Sequence, residues 1–369
     1  MRFHPAASLL LFACTCFVVT ESIAQEPPPA RPKNAVAAAA GDYHSLFLDG
    51  NSILWAVGQN GLGQLGDGST RNQRFPIAVA SNVSAIAAGD DFSMYVQRNG
   101  ILWGMGRNNW GQLGDGSGRN RAAPVQIATG IKTVATGKGH TLFLTQAGTV
   151  FATGRNTHGQ LGDGTTRQRM RPVEVASGVR AIAAGGNHSL MLKNDGTLMA
   201  TGDNNFGQLG IGSNRQQSTP QLVAEGVSSI AAGEVHSMFI KNDGTLWGAG
   251  QNFYGQLGNG TTRGENTPVN VADGVVEVTA GDLHTMFVRR DGVVWGMGNN
   301  SEGALGDGTS QNRRSPVRVT GGVSEVSAGN GFSLIVSRDR TLLGTGANSR
   351  GQLGDGSTRN RFTPIRVVP

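Results

Sequence analysis

The sequence predicts an all-β fold, a seven-bladed β-propeller, and two observations lead to it. Each of seven consecutive units contains four short strand-like segments and no helical periodicity. A glycine-rich tetrad marks every unit at an interval of 48 residues, as Gly-Gln-Leu-Gly from Gly63, Gly111, Gly159, Gly207, Gly255 and Gly351 and as Gly-Ala-Leu-Gly from Gly303. Repeated four-stranded units of roughly this length are typical of propeller blades.

The first strand of a unit, such as VSAIAA at 83–88, ends in small residues. Small side chains would allow seven backbones to converge on the propeller axis. The second and third strands are predicted on either side of a two-residue hairpin turn, because both residues of these pairs tolerate positive φ. The clearest pairs are Asn99-Gly100, Asp195-Gly196, Asp243-Gly244 and Asp291-Gly292. Large residues recur at one equivalent position of the units, here named the large-residue register, and are expected to fill the wider space between blades. They are Trp55, Trp103, Phe151, Trp247 and Trp295.

The two ends of the repeat region predict how the ring closes. The region begins with an axis-side strand after Asn34 and stops with the segment from Pro364 to Val368, which precedes such a strand in every other unit. We expect the C-terminal strand to complete the blade begun at Asn34. That arrangement would close the ring and remove its open edges.

Three regions are expected along the chain: a signal peptide at 1–24, a proline-rich spacer at 25–33 and the propeller at 34–369. A basic residue, an apolar run at 6–19 and a small-x-small site ending at Ala24 have the layout of a secretory signal peptide. A short uncleaved anchor is the alternative. Cleavage near Ala24 would make the protein secreted or periplasmic.

Cleavage at that site would also remove Cys14 and Cys16, the two cysteines of the chain. The mature protein would then contain no disulfide and no cysteine-ligated metal. We expect a monomer with no stable membrane span.

The glycine-rich stretch GQNGLGQLGDGST at 58–70 contains G-x-G spacings, but its recurrence indicates a structural unit. No helix is predicted after it and no Gly-Lys-Ser/Thr follows, so a nucleotide site is not expected. The recurring asparagine, Asn60 in this unit, is expected to bond the local backbone. The recurring aspartate, Asp67 here, is expected to cap the turn, since a calcium loop needs more oxygen ligands.

His-Ser or His-Thr pairs suggest a nucleophile and its base, as at His44-Ser45. Adjacent residues of a strand point to opposite faces, which is poor geometry for that chemistry. Phe92 and Phe332 occupy the histidine register in two units, which indicates a packing position. We therefore expect no catalytic residue, no metal site and no cofactor, and no one-off cluster of acid, base or nucleophile breaks the repeat.

Arginine is concentrated in the loop before each proline, which holds 13 of the 31 basic residues. Some arginines of one register are expected to pair with the nearby aspartates: Arg71, Arg119, Arg167, Arg215, Arg263 and Arg359. Others are candidates for binding a polyanion such as nucleic acid, acidic polysaccharide or lipid head groups. These candidates are Arg74, Arg121, Arg169, Arg171, Arg314 and Arg361. A solvated or structural role is the alternative for all of them.

One register does not repeat, and it lies immediately before the tetrad. Variation confined to a few loop positions of near-identical units suggests an individualised surface, and aromatics and arginine are common interface anchors. Neutral drift at exposed loops is the alternative. The residues of this register are candidate partner-binding residues: Leu62, Trp110, His158, Phe206, Tyr254, Glu302 and Arg350. Tyr43, in the variable segment after the first strand, is a further candidate.

The pattern G-x-x-H-[ST] followed by D-G-x-[LV]-W-x-x-G-x-N-x-x-G-Q-L-G-D-G resembles the regulator of chromosome condensation repeat family. The resemblance covers 34–369 and implies a seven-bladed propeller. It does not determine function, since propellers of this kind serve many partners.

The leading hypothesis is a secreted, non-enzymatic propeller that presents variable loops to a protein or another macromolecule. Inhibition of an envelope or secreted enzyme is an alternative, because a similar bacterial propeller inhibits a β-lactamase through aromatic loop residues. Guanine-nucleotide exchange, known for the founding member of the resembled family, is disfavoured by the export signal and by the absence of a wedge insertion. A hydrolase or lyase acting at the axis would need the one-off cluster that the sequence lacks.

Overall fold

The computed structural model describes Pro32 and residues 34–367, which form seven four-stranded antiparallel sheets. The predicted signal peptide, and the predicted spacer apart from Pro32, lie outside the described residues. In the described part of the chain, no helix is long and apolar enough to cross a membrane. The prediction of seven blades with four strands each is confirmed.

Each blade is built from four strands that are consecutive in the chain and run from the axis outwards. Blade 1 contains β1 (Ala37–Ala40), β2 (His44–Leu48), β3 (Leu54–Gly58) and β4 (Gln73–Ala80). Blade 2 contains β5 (Val83–Ala88), β6 (Phe92–Gln97), β7 (Leu102–Gly106) and β8 (Arg121–Ala128). Blade 3 contains β9 (Ile131–Thr136), β10 (His140–Thr145), β11 (Val150–Gly154) and β12 (Arg169–Ala176). Blade 4 contains β13 (Val179–Ala184), β14 (His188–Lys193), β15 (Leu198–Gly202) and β16 (Gln217–Ala224).

The remaining three blades repeat the same order. Blade 5 contains β17 (Val227–Ala232), β18 (His236–Lys241), β19 (Leu246–Gly250) and β20 (Glu265–Ala272). Blade 6 contains β21 (Val275–Ala280), β22 (His284–Arg289), β23 (Val294–Gly298) and β24 (Arg313–Thr320). Blade 7 contains β25 (Val323–Ala328), β26 (Phe332–Ser337), β27 (Leu342–Gly346) and β28 (Arg361–Arg366).

The innermost strands surround the axis, as predicted from their small residues. Their last residues line a narrow opening at one end of the ring: Ala40, Ala88, Thr136, Ala184, Ala232, Ala280 and Ala328. Each is followed by a glycine whose position leaves no room for a side chain. A Cβ on Gly137, for example, would lie 2.2 Å from the carbonyl oxygen of Gly185 in the next blade.

The predicted hairpin turns are present, but only their glycine has positive φ. Gly100 has a φ of 80°, whereas Asn99 before it is not among the non-glycine residues with positive φ. The Gly100 N–H donates to the carbonyl of Gln97, and the Gln97 N–H donates to the carbonyl of Ile101. This is a longer hairpin loop that ends on a left-handed glycine, so the two-residue turn predicted from the sequence was wrong in detail.

Apolar clusters fill the space between adjacent blades and include the predicted large-residue register. Trp103 of blade 2 packs against a buried cluster with Leu46, Leu54 and Leu65 of blade 1. Trp55 and Phe47 of blade 1 stack with ring centroids 6.4 Å apart and join the cluster of blade 7. The register therefore packs each blade against the preceding one.

The glycine-rich loop of each blade bonds the outermost strand of the next blade. The Gly68 N–H of blade 1 donates to the Ala122 carbonyl of blade 2 at 3.0 Å. A Cβ on Gly63 would lie 2.5 Å from the Ala122 Cα atom, so this approach requires glycine. The equivalent bonds recur around the ring, and the last one joins Gly356 of blade 7 to the Arg74 carbonyl of blade 1. The recurrent stretch is therefore an inter-blade connection.

The predicted closure of the ring by a shared strand was wrong. β28 is the outermost strand of blade 7, where it pairs with β27, and β1 to β4 form blade 1 without it. Closure depends instead on contacts between complete blades. The Ala38 N–H donates to Glu325 Oε1 at 3.1 Å, and the Ala40 N–H donates to Ser327 Oγ at 3.0 Å. No strand is missing from the first unit, so none has to be supplied by the last.

If the junction of blades 7 and 1 is an ordinary inter-blade contact, equivalent substitutions there and at another junction will lower the free energy of unfolding by the same amount. Trp55→Ala and Trp103→Ala remove matched indoles, since each stacks on a neighbouring ring and donates Nε1–H to a side-chain oxygen. We expect each to lower the free energy of unfolding by about 3–5 kcal/mol, measured by guanidinium denaturation. A much smaller cost for Trp55→Ala would contradict equivalence of the junction.

Candidate functional site on the loop face

Two sets of loops emerge at the same end of every blade, and this end is named the loop face. In blade 1, His44 at the start of β2 pairs with Gly58 at the end of β3, and Gly58 pairs with Gln73 at the start of β4. The segment 41–43 and the glycine-rich loop 59–72 therefore lie side by side. The two variable loops, whose relation the sequence left open, share one face.

Buried side chains hold the backbone of each glycine-rich loop in place. The Oδ1 atom of Asn60 accepts the Leu65 N–H at 2.9 Å, and its Nδ2 donates to Asp67 Oδ1 and to the Ser69 carbonyl. The Asn–Leu bond occurs in all seven loops at 2.9–3.0 Å. The predicted local role of the asparagine is confirmed, as is capping by Asp67, which accepts the Ser69 N–H.

The non-repeating residue before the tetrad is fixed through its backbone N–H. In blade 4, the Phe206 N–H donates to Oε1 of the buried Gln208 at 3.0 Å. The same bond forms in every blade whose tetrad contains glutamine, through Leu62, Trp110, His158, Tyr254 and Arg350. In blade 6 the glutamine is replaced by Ala304, after Glu302. This register can therefore vary without disturbing the fold.

The most exposed aromatic surface of the loop face is an aromatic patch formed by Phe206, Phe253 and Tyr254. Their exposed fractions are 38%, 60% and 37%. Phe206 and Phe253 meet edge to face across two blades, with ring centroids 6.0 Å apart. A shallow groove beside Phe206 is lined by polar side chains that include Asn214, Arg263, Glu265 and Asn266. Phe253 was not predicted from the sequence.

The other candidate partner-binding residues have different surroundings. Trp110 is half-buried, and the guanidinium of Arg155 lies over its ring at 5.3 Å from the centroid. Leu62, His158 and Tyr43 are also half-buried, whereas Glu302 and Arg350 are exposed. The structure thus brings all of the candidates to one face, where the aromatic patch lies on blades 4 and 5.

A cluster of charges at the axis breaks the sevenfold repeat, contrary to the sequence expectation. In six blades the residue after the innermost glycine lines the axial opening: Asp42, Asp90, Lys138, Gly186, Glu234 and Asp282. Lys138 Nζ lies 2.7 Å from Glu234 Oε1 and 3.3 Å from Asp282 Oδ2. The residues of this cluster are 48 or more positions apart in the chain, and their shared place after glycine was the signal available in the sequence.

Burial and mutual repulsion shape the ionisation of this cluster. Burial, with the negative charges of Asp282 and Asp90, raises the pKa of Asp42 well above its usual range. Burial also raises the pKa of Asp282 to about 6, although Lys138 opposes the shift. For Lys138 burial lowers the pKa, but the carboxylates of Asp282 and Glu234 outweigh it and raise the pKa overall. The lysine and the two carboxylates thus form an ion-paired network across the opening.

The histidines that begin the second strand of five blades lie between blades, and each bonds a hydroxyl group of the next blade. His44 Nε2 bonds Ser93 Oγ of blade 2 at 2.8 Å, and Ser93 Oγ donates its proton to the Gln64 carbonyl. The serine must therefore accept from His44 Nε2–H. Burial lowers the pKa of the ring, and Nδ1 has no hydrogen-bond partner among the described residues, so the ring is neutral with its proton on Nε2. The same arrangement holds for His140, His188, His236 and His284 at 2.9 Å.

The arginines that pair with aspartate lie two residues later than predicted. The guanidinium groups of Arg121, Arg169, Arg313 and Arg361 each form an ion pair with the aspartate of their own loop. In the register that begins at Arg71, the backbone instead bonds a loop hydroxyl, as Arg71 N–H to Ser69 Oγ. The arginines of that register are exposed, and it is named the outward register.

Three of the six candidate anion-binding arginines are therefore engaged in the fold: Arg121, Arg169 and Arg361. The other three, Arg74, Arg171 and Arg314, are exposed and make no ion pair with the residues that the structure describes. In the outward register, Arg263 is 84% exposed at its side chain and lies 3.5 Å from Glu265. Within 34–367, no group of three or more His, Cys, Asp or Glu side chains is arranged to hold a metal ion.

Residues 17–223 and 129–369 match the family model of the RCC1-like domain. No curated protein sequence matches the chain. Among solved structures, human WBSCR16 is similar with a TM-score of 0.76 and 23% identity, over 85% of this chain and 93% of that chain.

Two structures of a yeast protein are also similar. Prp20p from Saccharomyces cerevisiae, which was described together with its binding to Gsp1p and histones, has a TM-score of 0.74 and 27% identity over 82% of both chains. Yeast RCC1 (Prp20) bound to Kap60 has a TM-score of 0.73 and 26% identity, over 81% of this chain and 79% of that chain.

The buried histidines predict a pH dependence of stability. Burial lowers the pKa of His44 from 6.5 to about 4, so the folded protein keeps it neutral while the unfolded chain binds a proton below pH 6.5. Its contribution is complete above pH 6.5 and is lost as the pH falls towards 4. This loss amounts to about 1.4 kcal/mol per pH unit for one such group.

His44→Phe, which copies the residue found at Phe92 and Phe332, removes that dependence. Between pH 7.5 and pH 5.0 the variant is expected to gain about 2 kcal/mol of unfolding free energy relative to the unaltered protein. Denaturant titrations at the two pH values measure this difference. Phe332→Leu is the control, because it changes no ionisable group. A pH-independent difference for His44→Phe would contradict the assignment of a neutral ring.

Proposed function

Because the chain belongs to the family of RCC1-like domains, we propose that it is a non-enzymatic binding propeller that docks a protein partner on its loop face. The aromatic patch of Phe206, Phe253 and Tyr254 carries this proposal. Large aromatic side chains contribute strongly to binding when a partner buries them, and here three stand exposed at one junction of blades. Prp20p, a relative with 27% identity, also binds proteins.

The way in which the glycine-rich loops are held in place supports the same proposal. The backbone before each tetrad is held by a buried glutamine in six blades, so the exposed side chain makes no contribution to the loop that would explain an aromatic ring. Exposed aromatic rings in water lose the stabilisation that burial would give them. Three such rings at one place are better explained by a partner that covers them than by drift.

The proposed partner lies outside the cytoplasm, on the basis of the signal peptide predicted at 1–24. A secreted or envelope enzyme that the propeller inhibits is one such partner. The charged network at the axis gives no reason to propose catalysis, since Lys138 is engaged by Glu234 and Asp282.

The proposal predicts that three alanines on the aromatic patch abolish specific binding. Residues 25–369 would be used to capture proteins from envelope and supernatant fractions, and the identified partner would then be titrated against each variant. We expect Phe206→Ala/Phe253→Ala/Tyr254→Ala to weaken its binding by roughly 30-fold or more. The matched control is Val36→Ala/Leu222→Ala/Val276→Ala, which removes three exposed apolar side chains away from the loop face. Equal losses in both variants, or no loss in the first, would contradict the proposal.

A second candidate function is the binding of a polyanion, favoured by the exposed arginines of the loop face. Arg74→Gln/Arg171→Gln/Arg314→Gln removes three positive charges that have no ion-pair partner in the described part of the chain. If a polyanion binds there, this variant will elute from heparin at clearly lower salt than a Lys132→Gln/Arg180→Gln/Arg290→Gln control. If the two variants elute at the same salt concentration, a specific site is rejected and net charge alone explains the binding to heparin.

A further inference from the structure

Blade 4 differs from the other blades at the junction with its predecessor. The register that holds an aromatic ring in five blades holds Met199 in blade 4 and Leu343 in blade 7. Its direct neighbour on the second strand is aromatic in the same five blades, as in the pair Phe239 and Trp247 of blade 5. In blade 4 that neighbour is Met191, which pairs with Met199. Two methionines therefore replace two stacked rings.

A groove lies where the missing rings would be. Its lining includes Val175 of blade 3 and Val179, Met191, Met199 and Pro220 of blade 4, and Lys193 lies at its polar end. In blade 5 the same place is occupied by Trp247, which packs against the apolar cluster of blade 4. The groove is thus the position of an indole that the sequence of blade 4 does not supply.

A cation is already placed beside this position. In blade 5, Lys241 Nζ lies 4.4 Å from the centroid of the Trp247 ring, and in blade 6 the Arg289 guanidinium lies 4.5 Å from that of Trp295. Lys193 is the equivalent of Lys241, at the last position of the second strand. Blade 4 therefore keeps the cation of a cation–π pair without its ring.

We propose that this groove binds a small planar aromatic molecule of indole size, with its ring against Met191, Met199 and Val175 and beneath the Lys193 ammonium. Unbranched thioether side chains adjust to a ring and make favourable sulfur–aromatic contacts. The positive charge of Lys193 favours a ring that carries a carboxylate. The apolar lining is about as large as one side chain and ends at Ser177 and Lys193. A groove of this size suits a small molecule better than a macromolecular surface.

Indole and indole-3-acetate are the probes, titrated into the protein with ¹³C-labelled methionine methyl groups. We expect saturable shifts of the Met191 and Met199 methyl signals with a Kd on the order of 1 mM. Met199→Trp fills the groove with the ring found in blade 5, so it is expected to abolish the shift of the remaining Met191 methyl signal without lowering the melting temperature. Lys193→Gln is expected to weaken indole-3-acetate roughly fivefold or more, and indole less.

Lys241→Gln is the matched control, because its neighbouring ring is present and no groove is open there. It should leave both affinities unchanged. The proposal is overturned if neither probe shifts the two methyl signals saturably up to about 10 mM. It is also overturned if binding survives in Met199→Trp, or if Lys241→Gln weakens binding as much as Lys193→Gln does.

Discussion

Seven buried hydroxyl groups join the blades to one another, and the loop face depends on them. Each belongs to the second strand of one blade and donates to a backbone carbonyl in the tetrad of the preceding blade, at 2.6–2.9 Å. The donors are Ser45, Ser93, Thr141, Ser189, Ser237, Thr285 and Ser333. Because Ser45 of blade 1 donates to Gln352 of blade 7, the set has no gap at the ends of the chain. The tetrad must present its carbonyl at one place, and the buried asparagine of the loop, which accepts the N–H of the tetrad leucine, helps to hold it there.

Fixing the loop through its backbone separates structural from variable positions. Gln208 and Asn204 are buried and satisfy the backbone of blade 4's loop, whereas the intervening Phe206 side chain is exposed. The same division allows leucine, histidine or arginine at that place in other blades. A repetitive fold can therefore carry a non-repetitive surface without loss of packing. The axial charges are a second example, since Lys138 and Asp282 occupy equivalent backbone positions in two blades but carry opposite charges.

Much of the fold was predictable because each unit repeats one pattern of strands, turns and small axial residues. The closure was not, because a repeat of four strands looks the same from any starting point and does not reveal where a blade begins. The arginine partners were also missed. Arg119 lies in the exposed loop, whereas Arg121 begins β8 and its side chain meets Asp115, and sequence spacing cannot resolve a difference of two residues.

The site was predictable in part. The register of Phe206 and Tyr254 was identified from its variation, and the structure places both residues at the aromatic patch. Phe253 was missed although its own register also varies, with glycine at 61, asparagine at 109 and threonine at 157. The axial cluster and the groove at Met199 depend on contacts between blades. Only the comparison of equivalent positions, all multiples of 48 residues apart, carried any signal of them in the sequence.

The absence of a shared strand at the junction of blades 7 and 1 has a consequence for how such a chain changes in evolution. Since every blade is complete in itself, duplication or loss of one unit adds or removes a whole wedge and leaves no strand unpaired. The number of wedges is then set by the angle between neighbours, through small residues at the axis and large ones farther out. A propeller closed by strand exchange would have to preserve both of its ends through each such event. Here a change in the number of units at any boundary would keep every four-stranded sheet whole.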